Sequence, residues 1–304
     1  MLKPTLILVF VTFFCSPDLK AQNPGGHLLI VGGGQQPPEL VAHFVDLAGG
    51  PGEARIAVLP MASGSPEESG QGKVEQLQEF GADAFVMNIT REEAEMESTA
   101  LLLDGVTGVW FPGGDQVRLA PVLLDTPVLR TIKDLYMAGA VVAGTSAGAA
   151  VMSDSMITGE QFLLESDTAG YYGDEFPRVA RNTIQIVEGF GFLPGTIIDQ
   201  HFLQRERHNR LLSAVLEHPA LIGVGIDEST AVQVNPDGQW RILGESAVIV
   251  YDARDAGITG IDDAVLGARD VRMHLLPAGS SYDPDTGDAR LPVETAAGSG
   301  APTR

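Results

Sequence analysis

AVVAGTSAGAAVMS, residues 140–153, decides the fold. Residues 140–143 are uniformly apolar, the pattern of a short strand buried on both faces. A tight turn follows, then an Ala-rich run with high helical propensity. Ser146 stands at the apex, with Gly144 two residues before it and Gly148 two after. This is the G-x-S-x-G spacing of a nucleophile elbow, in which small neighbours let the chain turn sharply and expose the serine oxygen. The N–H of Ala147, at the start of the following helix, is then free to stabilise an oxyanion. The same residues also suit an ordinary strand–helix turn with a capping serine, so the elbow needs partners elsewhere in the chain.

Working outward, the chain alternates. Apolar runs at 27–31, 55–60, 84–87 and 106–111 read as strands, and 39–47, 66–80, 91–103, 117–124 and 127–137 as helices. Strands alternating with helices predict an α/β fold, a mostly parallel, doubly wound sheet with helices on both faces. Binding sites in such sheets lie beyond the carboxyl ends of strands. Three Gly-rich loops fall there, after Val31 (Gly32-Gly33-Gly34), after Phe111 (Gly113-Gly114) and at the elbow. The first is not a dinucleotide fingerprint, because Pro37 stands where the third glycine belongs.

Residues 158–182 break the pattern and read as a long loop, either gating the site or a plain surface insertion. Residues 195–202 form a strand ending in polar residues, 204–216 a helix and 221–226 a strand. Residues 230–234, 240–243, 247–251 and 271–276 read as an antiparallel C-terminal extension of the sheet rather than a separate domain. One α/β domain is therefore expected over 25–283. From residue 280, and more firmly over 289–304, the Gly-, Ala- and Pro-rich tail is expected to be disordered.

At the other end, Lys3, the apolar run 6–14 and a more polar stretch ending at Ala21 have the order of a signal peptide, expected at 1–21. The protein is thus expected to be secreted or periplasmic. A lipoprotein would carry its lipid on Cys15, but Phe13 and Phe14 stand where small residues should precede that cysteine. Cys15 is the one cysteine of the 304 residues, so no disulfide, zinc–cysteine cluster or thiol nucleophile is expected in the folded part. No cofactor and no metal are expected. The formal net charge of −21 argues against nucleic acid and anionic membranes as partners. It suits a substrate rich in guanidinium groups, and equally a plain adaptation for solubility.

A serine nucleophile needs a base, and the base an orienting group. Of His27, His43, His201, His208, His218 and His274, His201 directly ends a predicted strand in a polar cluster. His274 competes, because α/β-hydrolases place their histidine late. Asp227 and Glu228 close another predicted strand, and either could orient the histidine. Arg205, Arg207 and Arg210 are conspicuous in so acidic a chain, with Arg207 and Arg210 at i, i+3 on a predicted helix. They suit a carboxylate clamp or a salt-bridged helix.

Several of these stretches together resemble the cyanophycinase family of serine peptidases. They are LLIVGGG (28–34), FPGGDQ (111–116), GTSAGA (144–149), SDSMI (153–157), GFGFL (189–193), DQHFLQRERHNRL (199–211), GIDESTA (225–231) and MHLLPAGSSYD (273–283). The resemblance runs in matching order over about 26–283. Dipeptidase E is a relative with the same flavodoxin-like core, of the class I glutamine amidotransferase-like kind, but is shorter and lacks the arginine string. The resemblance implies Ser146 as nucleophile, His201 as general base and acid, and Glu228 as the orienting carboxylate. It implies an oxyanion hole from the N–H groups of Ala147 and the Gly113-Gly114 loop. It further implies a substrate pocket lined by Gln116, Asp199, Gln200, Arg205, Arg207 and Arg210. The implied substrate is cyanophycin, a poly-aspartate with arginine on each β-carboxyl, released as β-Asp-Arg dipeptides. A homodimer is the family-level expectation. Two departures bear on which leaving groups fit. Gln35-Gln36 stand where the family often has acidic residues, and the 158–182 segment is long.

Other readings remain open from the sequence. One is a peptidase of the same fold acting on isoaspartyl or α-aspartyl dipeptides. The others are an esterase-like hydrolase using Asp227 and His274, and a binding module without turnover.

Overall fold

The structure is a computed structural model that describes residues 24–162, 178–260 and 265–293. The expected signal segment 1–21, the middle of the 158–182 segment and the chain beyond 293 lie outside the described residues.

Five strands build the parallel part of the main sheet: β1 (Leu28–Val31), β2 (Arg55–Val58), β3 (Asp83–Val86), β4 (Gly108–Phe111) and β5 (Val141–Thr145). Between them run α1 (Pro38–Leu47), α2 (Pro66–Glu79), the single turns α3 (Arg91–Ala94) and α4 (Glu97–Ala100), α5 (Gln116–Leu123) and α6 (Pro127–Ala138). After β5 comes α7 (Ala147–Ala150), then a hairpin of β6 (Ser155–Gln161) and β7 (Ile184–Glu188). The unit β8 (Thr196–Gln200), α8 (His208–Glu217), β9 (Ile222–Ile226) follows. The remaining strands are β10 (Thr230–Val234), β11 (Trp240–Gly244), β12 (Ala247–Asp252), β13 (Gly257–Ile258), β14 (Ala268–Arg269), β15 (Arg272–Pro277), β16 (Ser281–Asp283) and β17 (Asp288–Arg290).

The main sheet has the order β17-β16-β11-β10-β1-β5-β4-β2-β3. It is parallel from β1 to β3 and antiparallel from β10 outward. Its central strands β1, β4 and β5 are buried throughout because both faces are covered there. Leu28 and Ile30 join Val109, Phe111 and Val142 in one core with α5 and α6. Leu29 and Val31 join Ile56, Val58 and Trp110 in another, with α1 and α2. This is the mixed α/β architecture expected from the alternation.

The C-terminal portion departs from the single extended sheet. Strands β8, β9, β12 and β15 form a second, four-stranded sheet, with β8 and β9 parallel and β12 and β15 antiparallel. The three residues between β9 and β10, with Ser229 at φ 53, turn the chain from the small sheet to the main one. A third core, filled by Phe202, Leu211, Val215 and Ile249, lies between the small sheet and α8.

Other boundaries move as well. The expected helix 204–216 begins only at His208, so Arg205 and Arg207 precede it. The expected helix 91–103 is two single turns and a 3-10 turn, interrupted at Met96. The segment 158–182 opens in β6, not in a loop. The expected disorder from 280 is contradicted as far as Arg290. The turn Asp283–Gly287 folds β17 onto β16, and Tyr282 packs buried on Trp240.

Candidate active site

In the order β1-β5-β4, the three Gly-rich loops are neighbours at one carboxyl edge. Ser146 leaves β5 with φ 54 and ψ −111, a backbone that a non-glycine residue adopts only at a cost of about 1–3 kcal/mol. The turn closes so tightly that a Cβ on Gly144 would lie 2.2 Å from the Gly148 carbonyl oxygen, and one on Gly148 2.1 Å from that of Phe111. Small residues at both positions are therefore a steric requirement of the elbow.

The Ser146 hydroxyl lies 2.8 Å from His201 Nε2, and His201 Nδ1 lies 2.5 Å from Glu228 Oε1. A carboxylate only accepts, so the proton sits on Nδ1 and the Nε2 lone pair faces the serine O–H. His201 follows β8 with φ 50, its own N–H donating to the Gly32 carbonyl at 2.7 Å. Glu228 follows β9. Burial is the largest influence on His201 and pulls its pKa below the usual 6.5. The Glu228 hydrogen bond opposes it, and the charges of Arg205 and Arg207 add to the lowering. The ring is therefore neutral at pH 7, the form that can accept a proton.

The turn after β1 seats this pair. A Cβ on Gly33 would stand 2.3 Å from His201 Cε1, and one on Gly34 2.9 Å from Glu228 Oε2. The sequence marks Gly32-Gly33-Gly34 as a tight turn near a site, and the signal for its role is three consecutive glycines at a strand end. Asp227, the rival orienting group, faces elsewhere. It accepts from the N–H groups of Leu203 and Gln204 and from the Ser246 hydroxyl, fixing the bend after His201. The rival histidine, His274, lies on β15 opposite Val250 and packs on Tyr282. His43 bonds Gln233 at 2.7 Å, and His208 bonds the Tyr251 hydroxyl at 2.9 Å.

Among the described residues, no acceptor faces the N–H groups of Gly113, Gly114 or Ala147. A Cβ on Gly113 would lie 3.2 Å from that of Ser146. Unbonded N–H groups beside a hydroxyl are what an oxyanion hole requires.

Ser146 opens onto a pocket of about 400 Å³ whose lining includes Gly114, Gln116, Gln200, Arg205, Arg207 and Arg210. Asp199 is not at its surface. It is buried behind it, bound bidentately by Arg210 Nε at 2.7 Å and Nη2 at 2.5 Å. Arg207 donates to the Gln200 carbonyl at 2.8 Å and to the Gln200 side chain. Gln116 donates to the carbonyls of Ile157 and Thr158, pinning β6 to the pocket rim. Arg207 and Arg210 thus combine both roles read from the sequence, lining the pocket while braced by buried acceptors, and Arg205 lines it from the exposed side. Among the described residues, no His/Asp/Glu group has the arrangement of a metal site.

A mostly parallel α/β sheet with a serine on a strand-to-helix turn, bonded to a histidine–carboxylate pair, is the architecture of a serine-type hydrolase. The chain belongs to peptidase family S51, which it matches over residues 28–242, and is a serine-type peptidase. It is 34% identical over 267 residues to a cyanophycinase from Trichormus variabilis, covering 84% of each chain. It is 33% identical over 269 residues to a cyanophycinase from Geminocystis herdmanii, covering 85% of this chain and 94% of that one. Its fold matches the crystal structure of a peptidase from an acI-B1 Actinobacterium. That match has a TM-score of 0.63 at 23% identity, over 86% of this chain and 98% of the other.

Proposed function

We propose that this peptidase is an exported exopeptidase that cleaves cyanophycin into β-Asp-Arg dipeptides through an acyl-enzyme on Ser146. The observation that carries the reading is the Ser146–His201–Glu228 line opening onto an arginine-lined pocket. The cyanophycinases among its relatives support the choice of substrate.

In this reading, His201 Nε2 takes the Ser146 proton as Oγ attacks the aspartyl carbonyl carbon. The N–H groups of Ala147, Gly113 and Gly114 hold the oxyanion, and Glu228 stabilises the imidazolium. The C–N bond then breaks, and His201 returns the proton to the leaving amine. Water attacks the ester with His201 again as base, freeing the product and Ser146. Positioned acid–base help of this kind is worth about 10²–10⁴ in rate, and an oxyanion donor about 10²–10³. The braced Arg207 and Arg210 suit recognition of a carboxylate, which each β-Asp-Arg unit carries.

Export belongs to the same proposal, supported by the charge and hydropathy order of residues 1–21, as does the homodimer. N-terminal sequencing of the mature chain beginning at Gln22 tests the first, and light scattering tests the second. The substrate is tested by a panel of cyanophycin, β-Asp dipeptides and α-Asp dipeptides. The reading expects turnover of the polymer above all. Turnover of dipeptides alone would point to a dipeptidase.

A further inference from the structure

One buried charge has no part in the chemistry above. Lys73, on α2, is 8% exposed. Its Nζ donates to Gln36 Oε1 at 2.8 Å and to the Gln76 side-chain oxygen, and stands 4.2 Å from the centroid of the Trp110 ring. Gln36 passes the contact on. Its Nε2 donates to the Gly34 carbonyl at 2.6 Å and lies 3.4 Å from Thr145 Oγ1. Gly34 packs on Glu228, and Thr145 precedes Ser146. One side-chain amide therefore ties a buried ammonium to the turn behind His201 and Glu228 and to the strand end carrying Ser146.

We propose that Lys73 is a positioning residue, whose ammonium locks the Gln36 amide and so holds the Gly33-Gly34 turn that seats His201 and Glu228. An ammonium is a donor only, so it selects the oxygen end of the Gln36 amide and leaves the nitrogen end for Gly34 and Thr145. Its three N–H donors meet three acceptors: two glutamine oxygens and the negative face of an indole. In the free amine a lone pair replaces one donor, and facing either the indole or an amide oxygen it repels. The lock is a property of the charged form. Burial alone lowers Lys73 to about 7. The charged groups on the neighbouring elements, Glu39 on α1, Arg55 on β2 and Asp83 on β3, and Glu228 beyond the turn, have no part in that shift. The lock is present below this pH and is lost as pH rises through it.

The proposal rests on Ser146, His201 and Glu228 forming the catalytic line, so its test uses a reaction of Ser146 that needs no assumption about substrate. A fluorophosphonate probe labels an activated serine, and its labelling rate is followed from pH 5 to pH 9 for the wild type, Lys73→Met, Gln36→Leu and the double variant. The expected wild-type profile rises with deprotonation of His201 and falls with deprotonation of Lys73. Each single variant is expected to label at least tenfold more slowly at pH 6.5 and to lose the alkaline fall. The double variant is expected to match the singles rather than multiply their losses. Folding is checked by circular dichroism, and Gln36→Leu carries the test if Lys73→Met does not fold. Single variants with the wild-type profile, or multiplied losses in the double variant, overturn the proposal. A wild type that is never labelled at Ser146 overturns the catalytic line itself, and this proposal with it.

Discussion

His201 is where opposing influences on one ring can be weighed. Desolvation and two arginines lower its pKa, and the Glu228 hydrogen bond raises it. Because the lowering wins, the acidic limb of kcat/KM is expected below pH 6.5. Removing one positive charge by Arg205→Gln should move that limb upward, toward 6.5. A limb that stays put would remove Arg205 from the electrostatics of the ring. The sign for stability is the same: a depressed folded pKa contributes stability above pH 6.5 that is lost as pH falls through the folded value. At this scale residue type and strand-end position mark Ser146 and His201 as candidates, with His274 left open beside His201, and it is the family resemblance that implies their roles. The choice between Asp227 and Glu228 is not, because adjacent residues at a strand end face different ways and only the three-dimensional turn decides which meets the imidazole. Here Glu228 meets it, and Asp227 caps the bend after β8 instead.

The turn after β1 and the link between β8 and α8 carry the site at the scale of elements. Gly33→Ala would place a methyl inside the His201 ring, so the ring must move. A displacement of about 1 Å can cost about 10² in rate, and kcat is expected to fall by that order while circular dichroism remains that of the wild type. Unchanged kcat would mean that the turn does not seat the histidine. Arg210→Met removes the bidentate partner of Asp199 and leaves its buried carboxylate with Arg207 Nη1 at 3.7 Å and the Gln200 N–H. Breaking a buried pair costs up to about 3–5 kcal/mol, and the remaining contacts hold the loss toward the lower end. Urea denaturation should show a midpoint lowered accordingly, whatever the activity. Most strands are legible because continuous apolar runs announce burial on both faces. The β6–β7 hairpin is not. Its first strand, SMITGEQ, contains Gly159 at φ 99 and an irregular register between Ile157 and Gln161, so no alternation reaches the sequence. The late start of α8 is hidden for a similar reason. Residues 204–207 have helical composition, but the chain is held in turns there by Asp227 and by Arg207.

For the whole molecule, two sheets meet at one edge, the smaller supplying His201 and Glu228 and the larger supplying Ser146. The sequence places all three at strand ends but cannot show that those ends belong to different sheets, because strand pairing is decided by contacts far apart in the chain. The proposed activity follows from this meeting and from the pocket beside it. Its most direct test is mass spectrometry of the products after incubating purified wild type, Ser146→Ala and His201→Ala with cyanophycin. Wild type is predicted to release β-Asp-Arg, and each variant to fall by at least about 10³-fold. A folded wild type that releases no dipeptide, or a Ser146→Ala variant that releases it at the wild-type rate, would contradict the account.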